Sequence, residues 1–139
     1  MPDDYASLWL WLAGLRIMLI AHDPWIKNSL AGYFKSNGCD AYAPDSGREG
    51  LEALAEKPFD IVIADFSLPD MSGFDFLRQC LSKNPHSINM LICPGVPGRI
   101  PPEAASMGIR IIEKPFKSDA IDRAFLNAMK EQENTTNDR

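Results

Sequence analysis

The sequence predicts an α/β domain, a parallel sheet with helices on both faces. Three observations carry that expectation. Apolar runs of strand length alternate with helical patterns five times along the chain. One run, residues 60–64, closes on Asp65 and passes at once into a turn rich in Ser, Pro, Asp and Gly. Another, residues 109–112, closes on Glu113-Lys114-Pro115-Phe116. Chemistry in an open parallel sheet gathers beyond the carboxyl ends of its strands. An acid and a lysine that each end a strand there suggest a phosphoryl-accepting aspartate beside a cation.

The elements follow in order. Residues 16–21 read as a buried strand, with Ile17, Met18, Leu19 and Ile20 unbroken. Asp23-Pro24 has the form of an N-cap with proline at the first helical position. Ile26, Leu30, Tyr33 and Phe34 then share one helical face, and Asn37-Gly38 stops the helix. Residues 39–43 make a short second strand. Ser46 and Glu49 fit a capping box; Leu51, Leu54 and Ala55 supply the stripe, and Pro58 ends that helix. The third strand is 60–64. Ser72-Gly73 opens a helix with Phe74, Leu77 and Leu81 inward, closed by Asn84-Pro85. Residues 88–93 form the fourth strand and 110–113 the fifth. Prolines at 94, 97, 101 and 102 forbid a regular helix through that stretch, so a short helix is expected from near Pro102 to Gly108. Ser118 caps the last helix, with Ile121, Phe125, Ala128 and Met129 at helical spacing.

Composition bounds the rest. At 139 residues, the chain suits one domain with a sizeable core. Its 45% hydrophobic and 24% charged content is that of an ordinary soluble protein. A net charge of -5 is the opposite of a nucleic-acid footprint, so no direct nucleic-acid binding is expected. Cys39, Cys80 and Cys93 form neither a disulfide framework nor a metal pattern and read as reduced thiols of a cytoplasmic protein. The apolar stretch 8–15 is broken by Arg16 and is shorter than the roughly 20 residues of a membrane span. Asp3 and Asp4 stand where a secretory signal carries positive charge. Residues 1–15 are therefore an N-terminal extension, expected to pack Trp9 and Trp11 on the domain or on another chain. Residues 16–131 are the domain and 132–139 a polar tail.

Three places in this order resemble the receiver domain of two-component response regulators. Ile17-Met-Leu-Ile-Ala-His-Asp-Pro24 is similar to the first strand and its acidic loop. Asp60-Ile-Val-Ile-Ala-Asp65, with Leu68-Pro-Asp-Met-Ser-Gly73, is similar to the phosphoacceptor strand and loop. Glu113-Lys114-Pro115-Phe116 is similar to the lysine-proline signature. The resemblance implies a flavodoxin-like five-stranded sheet in the order 2-1-3-4-5. It implies that Asp65 accepts a phosphoryl group from a histidine kinase or phosphotransfer protein, with Lys114 pairing to it. It places Mg²⁺ on Asp65 and the Ser67 backbone carbonyl, and it commonly makes the Lys114–Pro115 bond cis. Output passes to a downstream protein partner, and a homodimer is among the assemblies it allows.

Four positions depart from the family pattern. Ala21 and His22 stand where two acids close the first strand, and Asp23 falls one place later. Mg²⁺ takes hard oxygen ligands, whereas imidazole suits softer metals. Weak Mg²⁺ binding is expected, with Asp23 and His22 as its remaining candidate ligands. Cys93 replaces a hydroxyl residue at the end of the fourth strand, and a thiol is a poor hydrogen-bond donor. Ile111 replaces the aromatic switch residue.

The plainer readings are ordinary ones. Asp65 could serve only its turn, Lys114 could be a surface lysine, His22 a satisfied loop histidine and Cys93 a core filler. The expected function is a phosphoacceptor receiver in phosphorelay signalling, not an enzyme. The alternative is a receiver-like interaction module independent of phosphate, which the four departures favour. An aspartate-nucleophile phosphatase would want a second acid at Ser67. A flavin site would want a first loop rich in N–H groups in place of 21–24.

Overall fold

The computed structural model describes residues 2–39, 41–95, 98, 100–114 and 116–137. Five strands, β1 (Ile17–Ile20), β2 (Ala41–Tyr42), β3 (Ile61–Asp65), β4 (Ile88–Pro94) and β5 (Arg110–Lys114), form one sheet. Their order is β2-β1-β3-β4-β5, every pair parallel, as the resemblance implied. Five helices accompany them: α1 (Pro2–Ala13), α2 (Pro24–Ser36), α3 (Gly47–Glu56), α4 (Gly73–Lys83) and α5 (Ser118–Asn137).

The period-2 geometry of a strand explains the unbroken apolar runs. Ile17 and Leu19 of β1 join Ile61, Ile63, Met90 and Ile92 under α1, α2 and α5. Met18 and Ile20 join Val62, Ala64 and Leu91 under α3 and α4. Both faces are covered, so the strand positions are apolar almost throughout, with Asn89 inside β4 and Asp65 at the end of β3 as the buried polar residues described. Arg16 fixes where β1 starts. Its N–H donates to Asp60 Oδ2 at 2.8 Å, its Nε–H to the Pro58 carbonyl at 2.9 Å, and its guanidinium lies over the Phe59 ring.

The helix starts obey local chemistry. Asp23 Oδ1 accepts the Trp25 N–H at 2.9 Å at the head of α2. Ser46 and Ser72 accept the N–H groups of Glu49 and Asp75, each at 3.1 Å, the arrangement that satisfies donors left open in a first turn. Asn37 caps the end of α2, and Gly38 follows at φ 73°.

The structure revises several of these readings and fills in others. The second strand is two residues long rather than five, with Asp40 outside the described residues. No helix lies between β4 and β5 among the described residues. Residues 102–108 form turns, with one bond of helical spacing, Met107 N–H to the Glu103 carbonyl at 3.1 Å. Pro101 and Pro102 bring no N–H to a ladder, and Gly108 at φ 77° ends the turns as the Ile109 N–H returns to the Ala104 carbonyl at 2.9 Å. Residues 1–15, expected to pack on the domain or on another chain, hold α1, whose Leu8 and Leu12 lie in the core with Trp11 packed against it. Ser118, expected as a cap, is the first residue of α5. That helix continues to Asn137, through most of the stretch expected as a polar tail. Glu131 is held by the Arg110 guanidinium of β5, which keeps its carboxyl below the usual carboxylate range and links α5 to the edge of the sheet. Tyr33 ties α2 to α5 by donating to Asp122 Oδ1 at 2.6 Å. No helix among the described residues is long and apolar enough to cross a membrane.

Candidate functional site

The parallel register assembles the site at the carboxyl edge of the sheet. Asp65, the last residue of β3, pairs with Ile92 of β4. Cys93 pairs with Glu113, and Pro94 with Lys114. On the other side Ile20 pairs with Ala64, so continuing the register by one residue sets Ala21 level with Asp65. Residues 49 apart in the chain thus reach one rim, and the Lys114 Nζ lies 3.0 Å from Asp65 Oδ1.

This pair is more than a surface contact. Asp65 is 3% exposed and is one of two buried polar residues described, with Asn89. The Lys114 side chain is 27% exposed, so its stem is largely covered and its ammonium is held at the rim. Asp65 Oδ1 also accepts the Phe66 N–H at 2.8 Å. Its other oxygen, Oδ2, takes no hydrogen bond or ion pair among the described residues. One oxygen is therefore anchored and neutralised while the other stays open. A carboxylate so held is arranged to act as a nucleophile, and the ammonium stands where negative charge would gather.

The loop after Asp65 is built to fix it. The Leu68 N–H donates to the Met71 carbonyl at 3.0 Å, and the Gly73 N–H to the Phe66 carbonyl at 2.9 Å. Ser67 and Ser72 form an isolated antiparallel bridge. A Cβ on Gly73 would fall 1.9 Å from the Asp65 carbonyl oxygen, and one on Gly95 would fall 2.6 Å from that of Lys114. Glycine is needed at both places because backbone meets backbone there.

Asp70 has a role that sequence reasoning did not assign. Its Oδ1 and Oδ2 accept the Gly47 and Arg48 N–H groups, each at 2.9 Å. The loop beyond Asp65 therefore caps α3 from more than twenty residues away, and no local signal announces it. These N–H groups, Arg48's first, hold the Asp70 carboxyl below its ordinary 3.8. A depressed folded value means the stabilisation is present above pH 3.8 and is lost as pH falls through the folded value. Asp70→Ala is accordingly expected to lower stability near neutral pH by about 0.5–1 kcal/mol. The deficit should shrink in urea melts run below pH 3; a deficit of the same size at all pH values would discount the cap.

The other predicted residues fall as follows. Cys93 is fully buried on the α3–α4 face. Burial, helped by Glu113, pushes its thiol up to about 11, against the opposing pull of Lys114. It remains a neutral thiol near pH 7, and its sulfur is no redox handle. Asp23 is occupied as the α2 cap, and His22 is exposed. Ile111 is half-buried against the α3–α4 side. Pro115 lies outside the described residues, and with it the isomer of the Lys114–Pro115 bond. Among the described residues no three His, Cys, Asp or Glu side chains converge as a metal site. One carboxylate, one carbonyl and an exposed imidazole offer Mg²⁺ few hard oxygen ligands, at the low end of the one or two carboxylates it usually takes.

This geometry defines a class: a five-stranded parallel sheet with an acid and a lysine meeting at its carboxyl edge. The chain belongs to the response regulator receiver domain family, whose profile matches residues 17–125. It is a signalling module of two-component systems. Among curated proteins it is 34% identical over 111 residues to the cell cycle response regulator CtrA of Brucella ovis, covering 77% of this chain and 47% of that protein. The chain thus spans about half the length of the curated relatives it matches. Among solved structures it resembles the signal receiver domain of an HD domain-containing protein from Pseudomonas fluorescens Pf-5. The TM-score is 0.76 at 23% identity, covering 88% of this chain and 92% of that one. A receiver domain protein from Clostridium thermocellum gives a TM-score of 0.75 at 23% identity, with 86% and 97% covered. Receivers generally bind Mg²⁺ in an acidic pocket and meet histidine kinases or phosphotransfer proteins.

Proposed function

We propose that Asp65 is the phosphoacceptor of this receiver. The observation that carries the reading is the buried carboxylate with Lys114 on one oxygen and its other oxygen open. A free carboxylate oxygen attacks the phosphorus of a phosphohistidine. The P–N bond breaks, the imidazole leaves with the bonding pair, and an acyl phosphate remains on Asp65. The Lys114 ammonium then offsets the charge of the transferred oxygens. The donor is a histidine kinase or phosphotransfer protein, and output passes by protein contact in the cytoplasm, from a monomer or a homodimer.

Phosphate would act by shifting a balance between conformations that already exist. Cys93, as a neutral and fully buried thiol, follows a phosphoryl group less well than a hydroxyl would. That observation favours a second reading, a receiver-like module that signals without phosphate. Incubation with a small-molecule phosphodonor and Mg²⁺ separates the two. The expected result is an acid-stable, base-labile mass increase of one phosphoryl group, confined to Asp65 and absent from Asp65→Asn. Failure to label at any donor or metal concentration would leave the module reading.

A further inference from the structure

Asp23, the acid expected beside Asp65 as a cation ligand, and Asp70, in the loop beyond it, both serve as helix caps in this fold. Asp23 turns its Oδ1 to the Trp25 N–H at 2.9 Å and caps α2. Asp70 places both oxygens on the first N–H groups of α3. Ala21 lies level with Asp65 by the register and offers no ligand, and His22 is exposed. The carboxylate that remains, Asp65, has one oxygen shared between the Phe66 N–H and the Lys114 ammonium. A divalent ion brought to it would meet one carboxylate and, within a few ångströms, an ammonium of like charge. Mg²⁺ gives up its water reluctantly and repays the loss with one or two carboxylates in near-octahedral order. Here the second carboxylate is missing and the first is already neutralised.

We infer that Lys114, and not a divalent cation, is the resident counter-charge of Asp65 in the unphosphorylated protein, and that the pocket has lost its divalent-cation site through its first-strand loop. The inference deepens the acceptor reading and rests on it for identifying the pocket. Its cause is local. Two replaced side chains, at 21 and 22, remove the ligands, and the acids that remain nearby serve as helix caps.

The test is a Mg²⁺ titration of the full chain, followed by backbone amide resonances at Asp65, Phe66, Ser67 and Lys114. In the unaltered protein the shifts are expected to stay small and unsaturated into the tens of millimolar. In Ala21→Asp/His22→Asp they are expected to saturate, with affinity at least about tenfold tighter. His22→Asp alone changes an exposed residue, so it serves if the double variant fails to fold; it too should bind more tightly than the unaltered chain. Lys114→Met, which frees Asp65 of its counter-charge, should also tighten binding. Saturation of the unaltered protein near 1 mM overturns the inference. So does a first-strand variant, or Lys114→Met, that binds no better. The acceptor reading is scored separately, by phosphodonor labelling of Asp65. A chain that never labels but titrates as expected loses that reading and keeps the counter-charge assignment.

Discussion

Gly73→Ala is expected to cost about 3–5 kcal/mol of folding stability, or to prevent folding. The added methyl would sit 1.9 Å from the Asp65 carbonyl oxygen and 3.0 Å from the Leu91 Cδ1. The first contact is with backbone, so no rotamer change relieves it. Relief requires the head of α4 to lift from the end of β3. That movement breaks the bond from the Gly73 N–H to the Phe66 carbonyl and loosens Phe76 and Leu77, both fully buried. A domain of this size has only about 5–15 kcal/mol to lose. Urea denaturation measures the effect, and Gly32→Ala provides the contrast. Gly32 is exposed inside α2 with nothing within 4 Å of its added Cβ, so alanine there should stabilise by about 0.5–1 kcal/mol. If Gly73→Ala lost less than about 1 kcal/mol, the tight packing of this turn on Asp65 would be wrong.

The same turn shows what could be read from the chain and what could not. Parallel strands buried on both faces write themselves as unbroken apolar runs, which is why β1, β3 and β4 were legible. Serine and aspartate caps act within three residues, so the starts of α2, α3 and α4 were legible too. The meeting of Asp65 with Lys114 followed once both were placed at strand ends of one sheet. Asp70 was not legible in this way. Its partners are the N–H groups of Gly47 and Arg48, and backbone donors leave no side-chain signature. The second strand was overdrawn because two residues of pairing give too little periodicity to measure. The helix expected before β5 was overdrawn for another reason. Residues 103–107 have helical composition, but the prolines before them and Gly108 after them leave room for only one turn.

Leu8→Ala and Leu12→Ala are each expected to cost about 2–4 kcal/mol, although both residues precede the segment that matches the family. Nothing in the receiver pattern requires a helix there. The reason is packing. The two side chains, four residues apart and on one face of α1, are 0% and 1% exposed. They share a core with Phe34 of α2 and Phe125 and Ala128 of α5. Burying a leucine removes enough apolar surface from water to be worth about 1.5–3 kcal/mol, and truncation leaves a cavity that adds to the loss. Leu10, between them in sequence, is 79% exposed; Leu10→Ser should change stability by less than about 0.5 kcal/mol. That contrast within one helix separates packing from mere apolar composition. Urea melts of the three variants decide it. Three equal and small effects would mean that α1 lies outside the cooperative unit. Large effects at 8 and 12 would mean that removing residues 2–13 strips apolar cover from the α2–α5 face and leaves the Asp65–Lys114 pocket on a weakened sheet. On that outcome, phosphoryl labelling of Asp65 is best measured on the chain with α1 in place.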